Sequence, residues 1–212
     1  MDDGPRYYEE LAAAFVRGRL GLTGGTDAEV IARGQADDLK LHKFKRQAEL
    51  PRVKRVLGVL RGLAPEDLLD VGSGRGTFLW PLVDGLPWLP VVAVDQAQRR
   101  VQDLQAVRKG GVERLSAVQM DACSLALKSK SRDVVTILEV LEHLERPERA
   151  AAEGVRVARR FVVASVPAHE DENPEHLRLF DERALGRLFE SAGATRVSFE
   201  RVLNHIIAVV RL

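Results

Sequence analysis

Leu68-Leu69-Asp70-Val71-Gly72-Ser73-Gly74-Arg75-Gly76 reads as a buried strand that runs into a glycine-rich turn and then a helix. A parallel α/β sheet opens a nucleotide pocket in this way, at the carboxyl end of its first strand. Glycine suits a turn where φ is positive, or where a Cβ would hold a ligand off the backbone. The dinucleotide fingerprint Gly-x-Gly-x-x-Gly asks for glycine at position 77. This chain has Thr77 there, and its third glycine comes one residue early, at Gly76. Asp70 stands inside the motif, where it would repel a pyrophosphate and attract a cationic ligand.

Val91-Val92-Ala93-Val94-Asp95 is a β-branched run that ends in an acid 19 residues after Gly76. An acid at the end of a second strand is where a ribose places its hydroxyls, and one carboxylate accepts from both. Leu115 to Met120 followed by Asp121-Ala122, and Asp133 to Leu138 followed by Glu139, add two further strands with acids at their ends. Acid-x-Gly-x-Gly-x-Gly with these strand ends in this order resembles the class I S-adenosylmethionine (SAM) methyltransferases. The resemblance runs from Asp70 onward and implies SAM as cofactor. It implies that Asp70 helps hold the methionyl ammonium, through water or backbone. Gly72, Ser73, Gly74 and Gly76 would form the loop, with Asp95 and Gln96 at the ribose. Asp121 and Ala122 would meet the adenine, and Leu138 and Glu139 would flank the methionyl end.

Strand signals fall near 67–71, 91–95, 115–120, 133–138, 160–166, 195–202 and 205–211. They alternate with helical stretches, which predicts an α/β fold, a mostly parallel sheet covered on both faces. Only Leu203-Asn204 separates the last two, so they form a hairpin and one strand is antiparallel. The resemblance supplies the order 3-2-1-4-5-7-6 of a Rossmann-like seven-stranded sheet. Ala158-Arg159-Arg160 stands where the family usually has a Pro-Gly-Gly turn, which predicts a differently shaped approach to the fifth strand. Residues 1–63 read as an N-terminal helical lid or appendage, and 64–212 as the SAM-binding domain. Thr26 or Asp27 is placed to cap a helix, with Glu29 in its first turn. Leu41, Phe44 and Ala48 repeat at helical spacing, as do Val53, Val56 or Leu57, and Leu60 after Pro51.

The 212 residues carry a formal charge of +1, which argues against global steering toward nucleic acid or membrane. A single cysteine, Cys123, excludes an internal disulfide and reads as a small packing residue. The acidic N-terminus lacks a signal-peptide pattern, and no apolar run approaches the ~20 residues of a membrane helix. These features predict a cytoplasmic protein with no stable membrane insertion, and leave its oligomeric state undetermined.

Glu139, Glu142 and His143 are spaced to share one face of a turn. With His176 they form a candidate site for a divalent cation such as Mg, through mixed oxygen and nitrogen ligands. Glu-x-x-Glu-His is shared with the ubiquinone-biosynthesis O-methyltransferases and with small-RNA 2′-O-methyltransferases. Three readings stand: a metal site, His143 with Glu142 as catalytic groups without metal, or packing. His143 would accept a proton from an acceptor hydroxyl. His42, His169 and His205 suggest no comparable role.

Residues 40–61 hold eight lysines and arginines against Glu49 alone. A solvated helix face accounts for that, as does a surface for an anionic small molecule, a lipid surface or RNA. A basic helix facing the acidic loop Glu170-Asp171-Glu172 would help close the site. The favoured function is methyl transfer to a small-molecule acceptor, most readily at oxygen. RNA methylation is the same-fold alternative, and a non-catalytic SAM-binding protein is the alternative from another class. Thr77 and Asp70 disfavour a nicotinamide-dependent oxidoreductase.

Overall fold

The computed structural model describes residues 7–46, 50–169 and 173–212. Glu170, Asp171 and Glu172 lie outside them, and with them the expected closure. The chain opens with helices α1 (Glu9–Leu20) and α2 (Asp27–Ala36), a 3-10 turn (Leu41–Phe44) and helix α3 (Pro51–Leu63). Local chemistry sets their ends. α1 stops at Gly21, whose φ of 68° is left-handed. α2 starts on a capping box in which Thr26 and Glu29 each accept from the other's backbone N–H. α3 has Pro51 at its start, where the missing N–H costs nothing.

The basic stretch 40–61 is not one helix. The 3-10 turn closes at Phe44 and Lys45 is extended, while Ala48 and Glu49 lie outside the described residues. Tyr8 donates its backbone N–H to Phe44 O at 2.9 Å, and Tyr7 bridges to Lys45. These pairings hold the segment out of helix, and Pro51 biases Leu50 toward extended backbone.

Strand and helix then alternate: β1 (Leu68–Val71), α4 (Leu79–Gly85), β2 (Val91–Asp95), α5 (Gln98–Lys109), β3 (Leu115–Gln119) and β4 (Arg132–Leu138). The second half adds α6 (Pro147–Val157), β5 (Ala158–Pro167), α7 (Glu182–Ser191), β6 (Arg196–Val202) and β7 (His205–Arg211). The seven-stranded sheet has the expected order β3-β2-β1-β4-β5-β7-β6. β1 to β5 are parallel, and β7 runs antiparallel to both β5 and β6. No turn precedes β5: α6 ends at Val157 and the strand begins at Ala158. Arg160 instead donates to Asp133 at the start of β4, with Nε 2.7 Å from Oδ1.

Leu68 faces a core built with α1, α3, α4 and α5, while Leu69 and Val71 face one built with α6 and α7. The N-terminal segment belongs to the first of these cores. Phe15, Phe44 and Trp80 stack in series, with ring centroids 5.2 and 4.8 Å apart. α1 approaches α5 backbone to backbone, because a Cβ on Gly18 would lie 1.9 Å from Ala106 O. No helix among the described residues is long and apolar enough to cross a membrane.

Candidate functional site

Alternation along β1 sends Asp70 to the face covered by α3. Asp70 sits beside Thr136 in the β1–β4 register and beside Ala93 in the β1–β2 register. Thr136 Oγ1 donates to Asp70 Oδ1 at 2.8 Å. Ala93 offers nothing polar, and Asp70 Oδ2 is buried with no partner. The residue is 3% exposed. That burial pushes its carboxyl up to about 6, against the opposing pull of Thr136 and Ser73.

Gly72, Gly74 and Gly76 have φ of 77°, 57° and 85°. A Cβ on Gly72 would lie 2.4 Å from Val140 Cγ2, and one on Gly76 would lie 2.1 Å from Trp80 Nε1. Those two glycines let the loop pack against its own scaffold. Gly74 differs: a Cβ there would meet only a carbonyl oxygen at 3.8 Å. It turns bare backbone toward open space.

Asp70, Ser73 and Leu138 line a cavity of about 160 Å³ beneath α3. Asp95, Gln96, Asp121 and Ala122 line another of about 470 Å³, and Gly72, Gly74 and Glu139 border both. Gly76 lines neither. Asp95 Oδ2 accepts from Gly74 N at 2.9 Å and Arg100 Nη1 at 3.3 Å, and Oδ1 accepts from Ala97 N at 2.8 Å. A carboxylate offers about four lone-pair sites, so Asp95 retains capacity for a hydroxyl. Asp121 Oδ1 accepts from Cys123 N at 2.8 Å. Burial pushes the Cys123 thiol up, away from a reactive thiolate.

The four proposed metal ligands separate. Glu142, His143 and His176 bring one ligand atom each within 4.8 Å of one another. Glu142 is buried, and His143 and His176 meet edge to face with centroids 4.8 Å apart. His143 Nδ1 donates to Glu175 O at 3.0 Å, which leaves Nε2 with the lone pair in the neutral ring. Glu139 stands apart from this trio. Its φ of 54° is left-handed, and its carboxylate is not among the converging ligand atoms. Ser165 Oγ donates to Glu139 Oε1 at 2.7 Å, His205 Nε2 donates to Oε2 at 3.1 Å, and Arg52 Nε lies 3.8 Å from Oε2. Burial opposes ionisation of Glu139, but His205, Ser165 and Arg52 together hold its carboxyl below the ordinary value.

Arg52, Thr136, Ser165 and His205 did not emerge from the sequence. His205 starts β7 opposite Pro167 of β5, so only the spatial strand order brings it beside the end of β4. The expected order 3-2-1-4-5-7-6 carried that signal.

Residues 69–161 match a family model described as a methyltransferase domain. A malonyl-[acyl-carrier protein] O-methyltransferase of Methylococcus capsulatus is 30% identical over 143 residues, covering 68% of this chain and 52% of that protein. One from Geobacter sulfurreducens is 33% identical over 107 residues, covering 50% of this chain and 40% of that protein. The chain thus spans about half the length of the first relative and less of the second. The crystal structure of a SAM-dependent methyltransferase from Aquifex aeolicus superposes with a TM-score of 0.62 at 23% identity, over 77% of this chain and 90% of that one. An acid-tagged glycine loop on β1, acids closing β2 and following β3, and the 3-2-1-4-5-7-6 sheet agree with these matches, and residues 69–161 form a methyltransferase domain on the fold of the class I SAM-dependent methyltransferases.

Proposed function

We propose that this protein transfers a methyl group from SAM to an oxygen of a small-molecule acceptor. The observation that carries the reading is the unpartnered, buried Oδ2 of Asp70, which lines the cavity beside the glycine loop. An ammonium is the complement of such an oxygen, since it supplies the missing donor and favours the ionised carboxyl. The backbone of Gly74 admits close approach, and Asp95 and Asp121 face the wider cavity where ribose and adenine belong. Bound there, SAM supplies a methyl on a sulfonium that leaves readily, so the protein's task is chiefly orientation. Arg52, Ser165 and His205 fix Glu139 at the border of the two cavities. The relatives are named for O-methylation, which favours oxygen as the acceptor atom.

Calorimetric titration with SAM tests this directly. Wild-type protein binds SAM, and Asp70→Asn weakens binding tenfold or more. Equal affinity for the two proteins would remove Asp70 from the cofactor site.

A specific observation favours a second element, the convergence of Glu142, His143 and His176. Glu142 and the two imidazoles form a mixed oxygen–nitrogen donor set of the kind that takes a divalent cation, which would lower the pKa of an acceptor hydroxyl. Without a cation, His143 Nε2 is the basic atom for that proton. His143→Ala is expected to cut transfer of labelled methyl into small-molecule extract a hundredfold or more. Loss of transfer on chelation assigns the trio to a cation, and transfer indifferent to chelation assigns it to proton handling. Full transfer by the variant excludes both.

A further inference from the structure

A third cavity, of about 550 Å³, opens on the other side of the glycine loop, between the 3-10 turn and α5. Lys40 and Lys45 reach it from the turn, Arg75 from the loop, and Arg99 and Arg100 from the first turn of α5. Lys43 lines it as well, and Asp103 is the one acid among its described lining residues. That acid is already taken. Arg19 Nη2 donates to Asp103 Oδ1 at 2.6 Å, and Lys43 Nζ donates to Oδ2. Arg100 is shared with Asp95. Lys40, Lys45, Arg75 and Arg99 make no ion pair among the described residues.

Folding does not explain this concentration of charge. α5 begins Gln98-Arg99-Arg100, with no acid in its first turn and no side-chain cap from Ala97. Cations at a helix N-terminus oppose the helix dipole, and four like charges with no ion pair among the described residues repel around one cleft. An anion in the cavity would reverse the sign of both effects. The site also has an apolar component, since Leu50, Val53 and Trp80 contribute to its lining.

The cavity adjoins the cofactor cleft. Val53, Arg75 and Thr77 line both it and the cavity of Asp70, and Arg100 borders both it and the cavity of Asp95. Its size suits a small molecule. Four cations around one cavity ask for more than one negative charge, and guanidinium forks match phosphate oxygens two at a time. Single-stranded RNA would want exposed stacking faces, but Tyr8 and Trp80 in the lining are 5% and 3% exposed.

We propose that this cavity anchors the phosphate end of an organic phosphate, the molecule that accepts the methyl group. The proposal rests on the methyltransferase reading for the acceptor's fate, but its anion site is tested separately. Inorganic pyrophosphate, SAM and a 12-nucleotide single-stranded RNA would each be titrated calorimetrically into wild type and into Lys40→Glu/Lys45→Glu/Arg99→Glu. The neutral Lys40→Gln/Lys45→Gln variant guards against misfolding of the triple one. Wild type is expected to bind pyrophosphate with submillimolar Kd. Binding should weaken tenfold or more in the triple variant and severalfold in the neutral one, with SAM affinity held within twofold. Pyrophosphate that fails to bind, or binds all three proteins alike, overturns the anion site. RNA bound tenfold more tightly than pyrophosphate, and lost in the variants, replaces it with a polynucleotide surface. Phosphatase treatment of small-molecule extract should abolish its labelling from SAM, and persistent labelling overturns the acceptor assignment. SAM that does not bind wild type sinks the methyltransferase reading and leaves the pyrophosphate result standing.

Discussion

On the proposed reading, Asp70 trades stability of the empty protein for affinity. Its carboxyl sits at about 6 in the fold rather than at 3.8, because burial disfavours the charge. The sign follows from which form folding prefers. Below the unfolded value both states are protonated and the group costs nothing. Between about 3.8 and 6 the unfolded chain ionises while the buried acid keeps its proton, so stability falls by about 3 kcal/mol at 1.36 kcal/mol per pH unit and is level above 6. Asp70→Asn should therefore raise the melting temperature of ligand-free protein at pH 7.5, and leave it nearly unchanged at pH 3, below both values. On that reading SAM reverses the balance, since its ammonium needs the ionised carboxyl. Its affinity should be level above pH 7 and fall toward tenfold per pH unit below 6. Calorimetry across pH 5 to 8 reads this, and a flat profile would mean that Asp70 does not meet the ammonium.

The glycine loop separates two duties that the same residue type performs. Gly72→Ala adds a left-handed strain of about 1–2 kcal/mol, and its Cβ collides with Val140. Urea melts should show a loss of roughly 2–4 kcal/mol in all, of which Val140→Ala in the same chain restores only the collision part. Gly74→Ala carries the strain without the collision, because its Cβ faces open space. It should lose about 1–2 kcal/mol of stability and far more of its SAM affinity. Equal damage from the two substitutions in both assays would contradict this division of roles. The elements that sequence predicted well are those whose signal is local. Val91 to Val94 is apolar because it is buried between β1 and β3, and Leu203-Asn204 permits only a hairpin. Two features were not local. Nothing in the residue type of Glu139 announces a φ of 54°, so a helical spacing rule grouped it with Glu142 and His143. The break at Lys45 depends on Tyr7 and Tyr8, more than thirty residues away.

At the scale of the whole molecule, helices before residue 64 and strands after it bury side chains in one cluster. Leu11, Phe15, Val16, Phe44, Leu57 and Leu60 are at most 2% exposed, in one cluster with Leu68, Val91 and Leu115 of the sheet. Burying each such side chain contributes about 1.5–3 kcal/mol, so six contribute on the order of 10 kcal/mol, comparable to the net stability of a domain. The backbone contact of Gly18 with α5 and the reciprocal one of Gly110 with Ala14 fix α1 with no room for an intervening layer of side chains. We therefore propose that residues 1–63 are part of the folding unit, with Arg52, Val53 and Val56 forming the roof over Asp70. A chain of residues 64–212 alone should melt without a cooperative transition, bind a hydrophobic dye and fail to bind SAM. Cooperative melting with SAM affinity near that of the full chain would make the N-terminal segment a detachable lid, and would confine its role to the acceptor.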